Sequence, residues 1–531
     1  MELNARTLYE EALAHYKAER YEESLSMVRE LRAAVERWPR VLLLEAYLYR
    51  DTKRYLAEIR VLWECLAQLD LRQADERKQA ATAWSLLGDA WRILGDSRRA
   101  VEAFLRSADL EPDLGKARTE CCNALFSASG IWDMEAAEFR YLYDVYQGKF
   151  REIVSYPERR YHHERLRIGY LSADLCEHPV ASLLYPLLQY HDRSRFRVYC
   201  YSATAHEDHV TVLLREKAEI WRDIADAADA EAAETIRQDE IDILFDLSVH
   251  TKDSRLSLLA YRPATVQISG IGDVNSTGLP AVDYFLTDRC CMEERAMRDY
   301  FVERPLCLPH CHFCYAPLKE MPEPAAAPCL ERGYVTFGSF NNFGKMTDEM
   351  LALWCRILQA VPGSRLILKH QLFDSEEGRS FVREKLERIG FPFSRVELRG
   401  FSKTYLQEYR ELDIALDTHP YTGGITTLEA LYMGVPVVSL YGRRHGTRFG
   451  YSFLQNIGLG ELAADSPDAY VEIAVSLAKD EALLALLHGN LRQMMQDSPL
   501  MDGAQYTRDV ERLYEGIWRR KAGELMGEVG C

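Results

Sequence analysis

As far as Phe150, apolar residues recur every three to four positions, the period of amphipathic helices packed on one face. At Leu166 the pattern changes to short continuous apolar runs separated by helical stretches. LRIGYLSAD, Phe196 to Ser202, DILFDLSVHT, ATVQIS and DYFLTD read as five strands, with a helix beginning near Val180 and an alanine-rich helix around Ala227 to Arg237. A second series opens with the strand Tyr334 to Phe337 and continues through RLILK, RVELR and DIALDTHPYTGGITTLEALYMGVPVVSL. Strands buried on both faces and alternating with helices predict two doubly wound parallel sheets. Ser466 to Leu487 and Ala504 to Lys521 read as helices, the last placed to cross back onto the first lobe.

The helical third is repetitive. In WSLLGDAWRILGDSRRAVEAFLRSADLEP, Trp84, Leu87, Gly88, Trp91, Ala100, Phe104 and Pro112 stand at the tetratricopeptide offsets. Gly88 permits close helix contact, and Pro112 ends the unit. Two weaker helix–turn–helix units precede it, and Glu120 to Phe150 is expected to continue as helix. Three stacked hairpins form a concave face, which either binds a peptide or supports the rest of the chain. The expected division is a repeat array over 1–118, a helical linker over 119–164 ending in the polar stretch Tyr156 to Glu164, an N-terminal α/β lobe over 165–318, and a C-terminal lobe over 319–531.

Composition narrows the partners. A formal charge of −17 over 531 residues argues against a nucleic-acid or anionic-membrane surface, and no apolar run has the length of a membrane span. The first residues form a charged amphipathic pattern without a signal-peptide core, so a cytoplasmic location is expected. Thirteen cysteines, an odd number, then read as reduced thiols. Cys307, His310, Cys311 and Cys314 have spacing that suits either a metal or a strand and turn; without a second CxxC pair, no metal is expected.

The candidate chemistry lies past strand ends, where parallel sheets bind ligands. In the unit from Asp413 to Leu440, Gly423 and Gly424 let the backbone approach a diphosphate at the following helix N-terminus. Thr426 and Glu429 fit a capping box, or place hydroxyls on phosphate and a carboxylate on a ribose diol. His178 and His250 follow two strands of the first sheet, as proton-transfer groups or as hydrogen-bonded structural residues. Lys345 precedes a helix that Thr347 can cap, a position unfavourable for a cation unless an anion binds there.

The wording of these stretches resembles the protein O-GlcNAc transferase family, including its SPINDLY-type branch. LRIGYLSADLCEHPVASLL, DILFDLSVHTKDSRLSLLAYRPATVQISGIG, GLPAVDYFLTD, VTFGSFNNFGKM and LDTHPYTGGITTLEALYMGVPVVSL match it in order from about Leu166 to Gly460, behind the expected repeat array. The resemblance implies a tetratricopeptide array followed by a GT-B fold, two Rossmann-like lobes with a cleft between them. It implies metal-independent, inverting transfer of GlcNAc from UDP-GlcNAc to Ser or Thr hydroxyls of a protein acceptor, with the nucleotide sugar as substrate and no cofactor. GDP-fucose as donor is the alternative, and a catalytically inert scaffold a third reading. By the same resemblance Lys345 contacts the diphosphate, Asn342 the nucleotide, Thr426 and Thr427 the phosphates, and Glu429 the ribose. His178 belongs to the DxxxHP segment beside sugar and acceptor and is the candidate base, with the leaving phosphate as the alternative. His250 belongs to an SGHT-like motif. Val249 stands where the family has glycine before that histidine, Tyr405 where a histidine near the base is common, and Gly270 to Val274 where a tryptophan-containing segment is common. These departures bear on donor identity and acceptor placement rather than on the fold.

Overall fold

The computed structural model describes residues 2–159 and 161–527, with side chains over 5–159 and 161–521. Residue 1, residue 160 of the expected linker and residues 528–531 lie outside the described residues. The chain divides into two compact units, one of residues 1–131, 340–355 and 368–403, the other of 132–339, 356–367 and 404–531.

The first unit opens with the helices Glu2–Lys17, Tyr21–Ala34, Pro39–Asp51, Tyr55–Gln68, Ala74–Ile93, Ser97–Leu110 and Leu114–Ala128. Each packs on its neighbour, which is the stacked-hairpin architecture that the tetratricopeptide offsets predict. A Cβ on Gly88 would lie 2.6 Å from the Phe104 ring, so only glycine admits this approach; Phe104 is fully buried with Ala100 and Ala124. Asp96 starts the second helix of that hairpin by accepting the Arg99 N–H at 3.1 Å. The repeat helices are tied to the 368–403 segment by the Lys53–Asp374 ion pair at 2.7 Å and the Ala57 N–H bond to Glu377 at 3.0 Å.

Glu58, inside the helix Tyr55–Gln68, is buried with no hydrogen-bond partner on either carboxylate oxygen. Burial pushes its pKa up to about 9, Arg50 opposes the shift, and Asp89 and Asp51 reinforce it. A folded pKa above the unfolded value means that folding takes up a proton. The group's contribution is therefore complete below the unfolded value and is lost as pH rises toward the folded one. Glu58→Gln is accordingly expected to stabilise this unit by about 2–3 kcal/mol at pH 7 and to have almost no effect near pH 4. Denaturant midpoints measured across that range check it; a variant less stable than wild type at pH 7 contradicts it.

The second unit holds a seven-stranded sheet of β1 (Leu166–Ser172), β2 (Phe196–Ser202), β3 (Ile220–Asp223), β4 (Ile243–Asp246), β5 (Val266–Ser269), β6 (Tyr284–Asp288) and β7 (Arg304–Leu308). Their order is β3-β2-β1-β4-β5-β6-β7, and every pair is parallel, with Ile168 opposite Val198 on one side and Ile243 on the other. The five expected strands form its centre. A second sheet contains β8 (Thr336–Ser339), β9 (Arg365–Lys369), β10 (Val396–Arg399), β11 (Ile414–Leu416), β12 (Val437–Leu440) and β13 (Ala463–Ala464), in the order β10-β9-β8-β11-β12-β13. The protein thus has the expected helical-repeat and GT-B elements, with two Rossmann-like sheets.

Three helix boundaries differ from expectation. The stretch Glu120 to Phe150 is interrupted between Ala128 and Ala136, where Glu138 reaches back to the Glu135 N–H at 2.8 Å and starts a new helix. Ser466 to Leu487 breaks at Asp480, whose side chain accepts the Leu483 N–H at 2.9 Å and caps Glu481–Gln496. Thr426 does not cap: the helix begins at Ile425, with Gly424 at the N-cap position and no side-chain cap. The last helix, Gly503–Gly527, does cross back onto the first lobe, where Thr507 bonds the Pro186 carbonyl at 3.1 Å and Glu511 accepts from His191 at 2.9 Å. Among the described residues no helix is long and apolar enough to cross a membrane.

Candidate functional site

Within the second unit, the chain leaves β1 and β11 at their carboxyl ends to form a cavity of about 290 Å³. His178 comes from the loop after β1; Thr426 and Glu429 come from the helix Ile425–Tyr432 after β11. Tyr405, Tyr315 and Lys319, with Glu177 and Ser182, complete the polar part of its wall.

The glycine loop is held from behind by Asp417, a buried residue at the end of β11. One carboxylate oxygen accepts the Gly423 N–H at 2.7 Å and the Thr418 N–H at 2.9 Å; the other accepts Ser439 Oγ at 2.7 Å. A Cβ on Gly423 would stand 2.3 Å from Thr427 Oγ1 and 2.7 Å from Thr426 Oγ1, so glycine is what lets the loop close on both hydroxyls. Gly424 meets no such crowding. Thr426 lines the cavity, while Thr427 is buried behind it, 3.4 Å from Asp417.

Glu429 is 1 % exposed, and its carboxylate is the buried charge of the cavity. Instead of capping its own helix it accepts Tyr405 OH at 2.7 Å and pairs with Lys319 Nζ at 2.8 Å. Lys319 also donates to Tyr405 OH and lies over its ring, 4.8 Å from the centroid. Burial and the adjacent carboxylate push the Tyr405 hydroxyl well up, so it stays a donor. The three residues make a compact ion-pair and hydrogen-bond set with its acceptor oxygens at the cavity wall. Sequence reading found Glu429 and Tyr405 but missed Lys319, which lies in a polar loop without a motif.

His178 occupies the N-cap position of the helix Pro179–Tyr190, with Nδ1 3.4 Å from the Val180 N–H and 3.7 Å from Asp174 Oδ1. Its side chain keeps 37 % exposure at the cavity. Burial lowers its pKa, Asp174 partly opposes this, and the ring is therefore neutral near pH 7. Burial raises the Asp174 carboxyl in turn.

His250 does not line this cavity. It is 1 % exposed, its Nε2 bonds the Ser276 carbonyl at 2.9 Å, and its ring meets Tyr146 edge-on. Burial brings its pKa down to about 4. The preceding Val249 has φ +53°, a left-handed conformation that costs a β-branched residue about 1–2 kcal/mol; this is the physical reason a glycine suits that position.

Asn342 and Lys345 belong to the other unit. There the Asn342 side chain accepts the Gly344 N–H at 2.9 Å and its carbonyl accepts the Lys345 N–H at 2.9 Å, forming the turn Phe343–Lys345. Thr347 accepts the Met350 N–H at 3.2 Å and caps Asp348–Ala360, as the sequence predicts.

Comparison with known proteins gives consistent matches. Residues 148–321 and 328–510 match the model of glycosyl transferase family 41. A Petunia hybrida protein named as a probable UDP-N-acetylglucosamine–peptide N-acetylglucosaminyltransferase, SPINDLY, is 41 % identical over 371 residues, covering 68 % of this chain and 39 % of the plant protein. The Arabidopsis thaliana protein SEC, named for the same activity, is 29 % identical, covering 67 % of this chain and 37 % of its own length. The chain spans about two fifths of the length of the curated relatives it matches. A solved structure of a lysine-to-methionine mutant of the Thermobaculum terrenum O-GlcNAc transferase superposes with a TM-score of 0.84 at 29 % identity, covering 99 % of both chains.

Proposed function

We propose, starting from the chain's membership of glycosyl transferase family 41, that this protein moves a sugar from a nucleotide diphosphate onto Ser or Thr hydroxyls of proteins, with GlcNAc from UDP-GlcNAc as the donor. The observation that carries this reading is the cavity in which a buried carboxylate, Glu429, stands beside a helix N-terminus and a neutral histidine. A carboxylate accepts two ribose hydroxyls at once, and amides at the start of Ile425–Tyr432, with the Thr426 hydroxyl, favour the phosphates. Lys319 and Tyr405 hold the Glu429 side chain oriented until the ribose arrives.

In this mechanism the acceptor oxygen attacks the anomeric carbon from the face opposite the diphosphate. The bond from that carbon to the diphosphate oxygen breaks with inversion through an oxocarbenium-like state. The hydroxyl proton passes to His178, and the electron pair leaves with the diphosphate. Fixed positive charge at the departing oxygens does the work of a divalent ion. Lys345, matched by sequence to the family's diphosphate-contacting lysine, supplies a cation in this reading, and Asn342 contacts the nucleotide.

Glu429→Gln keeps the shape but removes the charge-assisted bonds to the diol, each of which contributes about 1.5–3 kcal/mol. The donor KM is expected to rise about 10- to 100-fold with a smaller change in kcat; an unchanged KM contradicts the ribose role. The proposal as a whole is tested by incubating the intact chain with a protein extract and either UDP-GlcNAc or GDP-fucose labelled in the sugar. Labelled GlcNAc released from protein by alkaline β-elimination is the expected result. Labelled fucose reassigns the donor, and no label from either sugar overturns transferase activity in favour of a scaffold.

A further inference from the structure

Outside that cavity, a buried group of metal-binding side chains sits past the ends of β6 and β7. Cys291, His312 and His445 are all buried, and their ligand atoms lie within 4.8 Å of one another; Asp288, Cys311 and His312 form an overlapping set on the same criterion. The residues come from three separate segments: Asp288 ends β6, Cys311 and His312 follow β7, and His445 opens the turn His445–Thr447.

The hydrogen bonding prepares the rings for a ligand. His312 Nδ1 is 2.5 Å from Asp288 Oδ2, which also accepts the His312 N–H at 3.0 Å and Ser452 Oγ at 2.9 Å. The other Asp288 oxygen accepts the Cys290 and Cys291 N–H groups, both at 2.8 Å. A carboxylate fixed in this way on Nδ1–H sets the tautomer and leaves the Nε2 lone pair outward, the arrangement found behind metal-binding histidines. His312 Nε2 is buried without a hydrogen-bond partner, and so are both ring nitrogens of His445. The Val274 backbone approaches His445 without reaching hydrogen-bond geometry. Phe285, Phe301 and Phe449 meet the His445 ring edge-on, at 5.4, 5.6 and 5.3 Å between centroids, which keeps water out. Buried nitrogens in such surroundings are costly unless something accepts their lone pairs.

We propose that Cys291, His312 and His445 bind a divalent transition-metal ion of the zinc class, held in place by Asp288 behind His312. One thiolate, one carboxylate and one divalent cation sum to zero charge, which suits a site without solvent. Two imidazoles and a thiolate select Zn²⁺ over Mg²⁺ or Ca²⁺, which require oxygen ligands. In a tetrahedral zinc site neighbouring ligand atoms stand about 3.3–3.8 Å apart, a small contraction from the observed grouping. The ion is structural in this proposal, joining the β6 and β7 loops to the segment after β12, and the sugar-transfer reaction does not run through it.

The test is metal analysis of the intact chain refolded with Zn²⁺ and dialysed against metal-free buffer, together with the absorption spectrum of the Co²⁺-loaded protein. About one equivalent of zinc per chain is expected, with the visible bands of tetrahedral Co²⁺ and a near-ultraviolet thiolate-to-Co²⁺ band. Cys291→Ser should abolish the thiolate band at an unchanged circular-dichroism spectrum, and His445→Gln should lower retained zinc at least about 10-fold. Retention of less than about a tenth of an equivalent by the wild-type chain, or equal retention by both variants, overturns the site. Because the cobalt spectrum is read on the wild-type protein, missing thiolate and tetrahedral bands overturn it even where a variant fails to fold.

Discussion

Replacing Lys345 with alanine is expected to lower kcat for sugar transfer by about 100- to 1,000-fold, the usual cost of removing one fixed group at a developing oxyanion. In the transition state the breaking bond places negative charge on the diphosphate, and a cation there acts more strongly than on the ground state. The turn Phe343–Lys345 is held by Asn342 through bonds to the Gly344 and Lys345 N–H groups, and the next helix is capped by Thr347; neither uses the lysine ammonium. The melting curve of Lys345→Ala, measured alongside, separates lost chemistry from lost stability. Turnover within about threefold of wild type contradicts the leaving-group role.

His178→Ala is expected to reduce the rate by about 100- to 10,000-fold, the range for a lost general base. The cost comes with a pH signature. Burial lowers the pKa of His178 from its ordinary 6.5, so the free ring carries its lone pair at neutral pH and loses it on acidification. The rate of the wild-type enzyme should fall as pH drops below 6.5, and the variant should lack that acid limb. Asp174 Oδ1 stands 3.7 Å from His178 Nδ1, where its charge stabilises the imidazolium formed when the ring takes the acceptor proton. Full activity in the variant would assign the acceptor proton to the leaving phosphate.

Much of the architecture was legible because its signals are local. Gly88 and Phe104 stand at offsets that only a close helix crossing explains, and β1, β4 and β5 are apolar runs that only a sheet covered on both faces can bury. What escaped is what depends on encounters between distant segments. β3, the sequence IWRD, carries two charges in four residues and is a strand because it completes an edge. Lys319 gave no pattern, yet it pairs with Glu429. The spacing of Cys307, His310, Cys311 and Cys314 drew attention to one segment, whereas the structure groups Cys311 and His312 of that segment with Asp288, Cys291 and His445 from others. Thr426 and Glu429 fit a capping box, but tertiary bonds to Glu429 are charge-assisted and the helix starts at Ile425, two residues before a Thr426 cap would start it.

The cavity lined by His178, Tyr405, Thr426 and Glu429 is expected to receive a nucleotide diphosphate. Calorimetric titration of the intact chain with UDP and GDP in metal-free buffer addresses it without any acceptor. Saturable binding of about one UDP per chain is expected, stronger than GDP and weakened about 10-fold or more by Glu429→Gln. Absence of binding by both nucleotides, or binding that Glu429→Gln leaves unchanged, would contradict it.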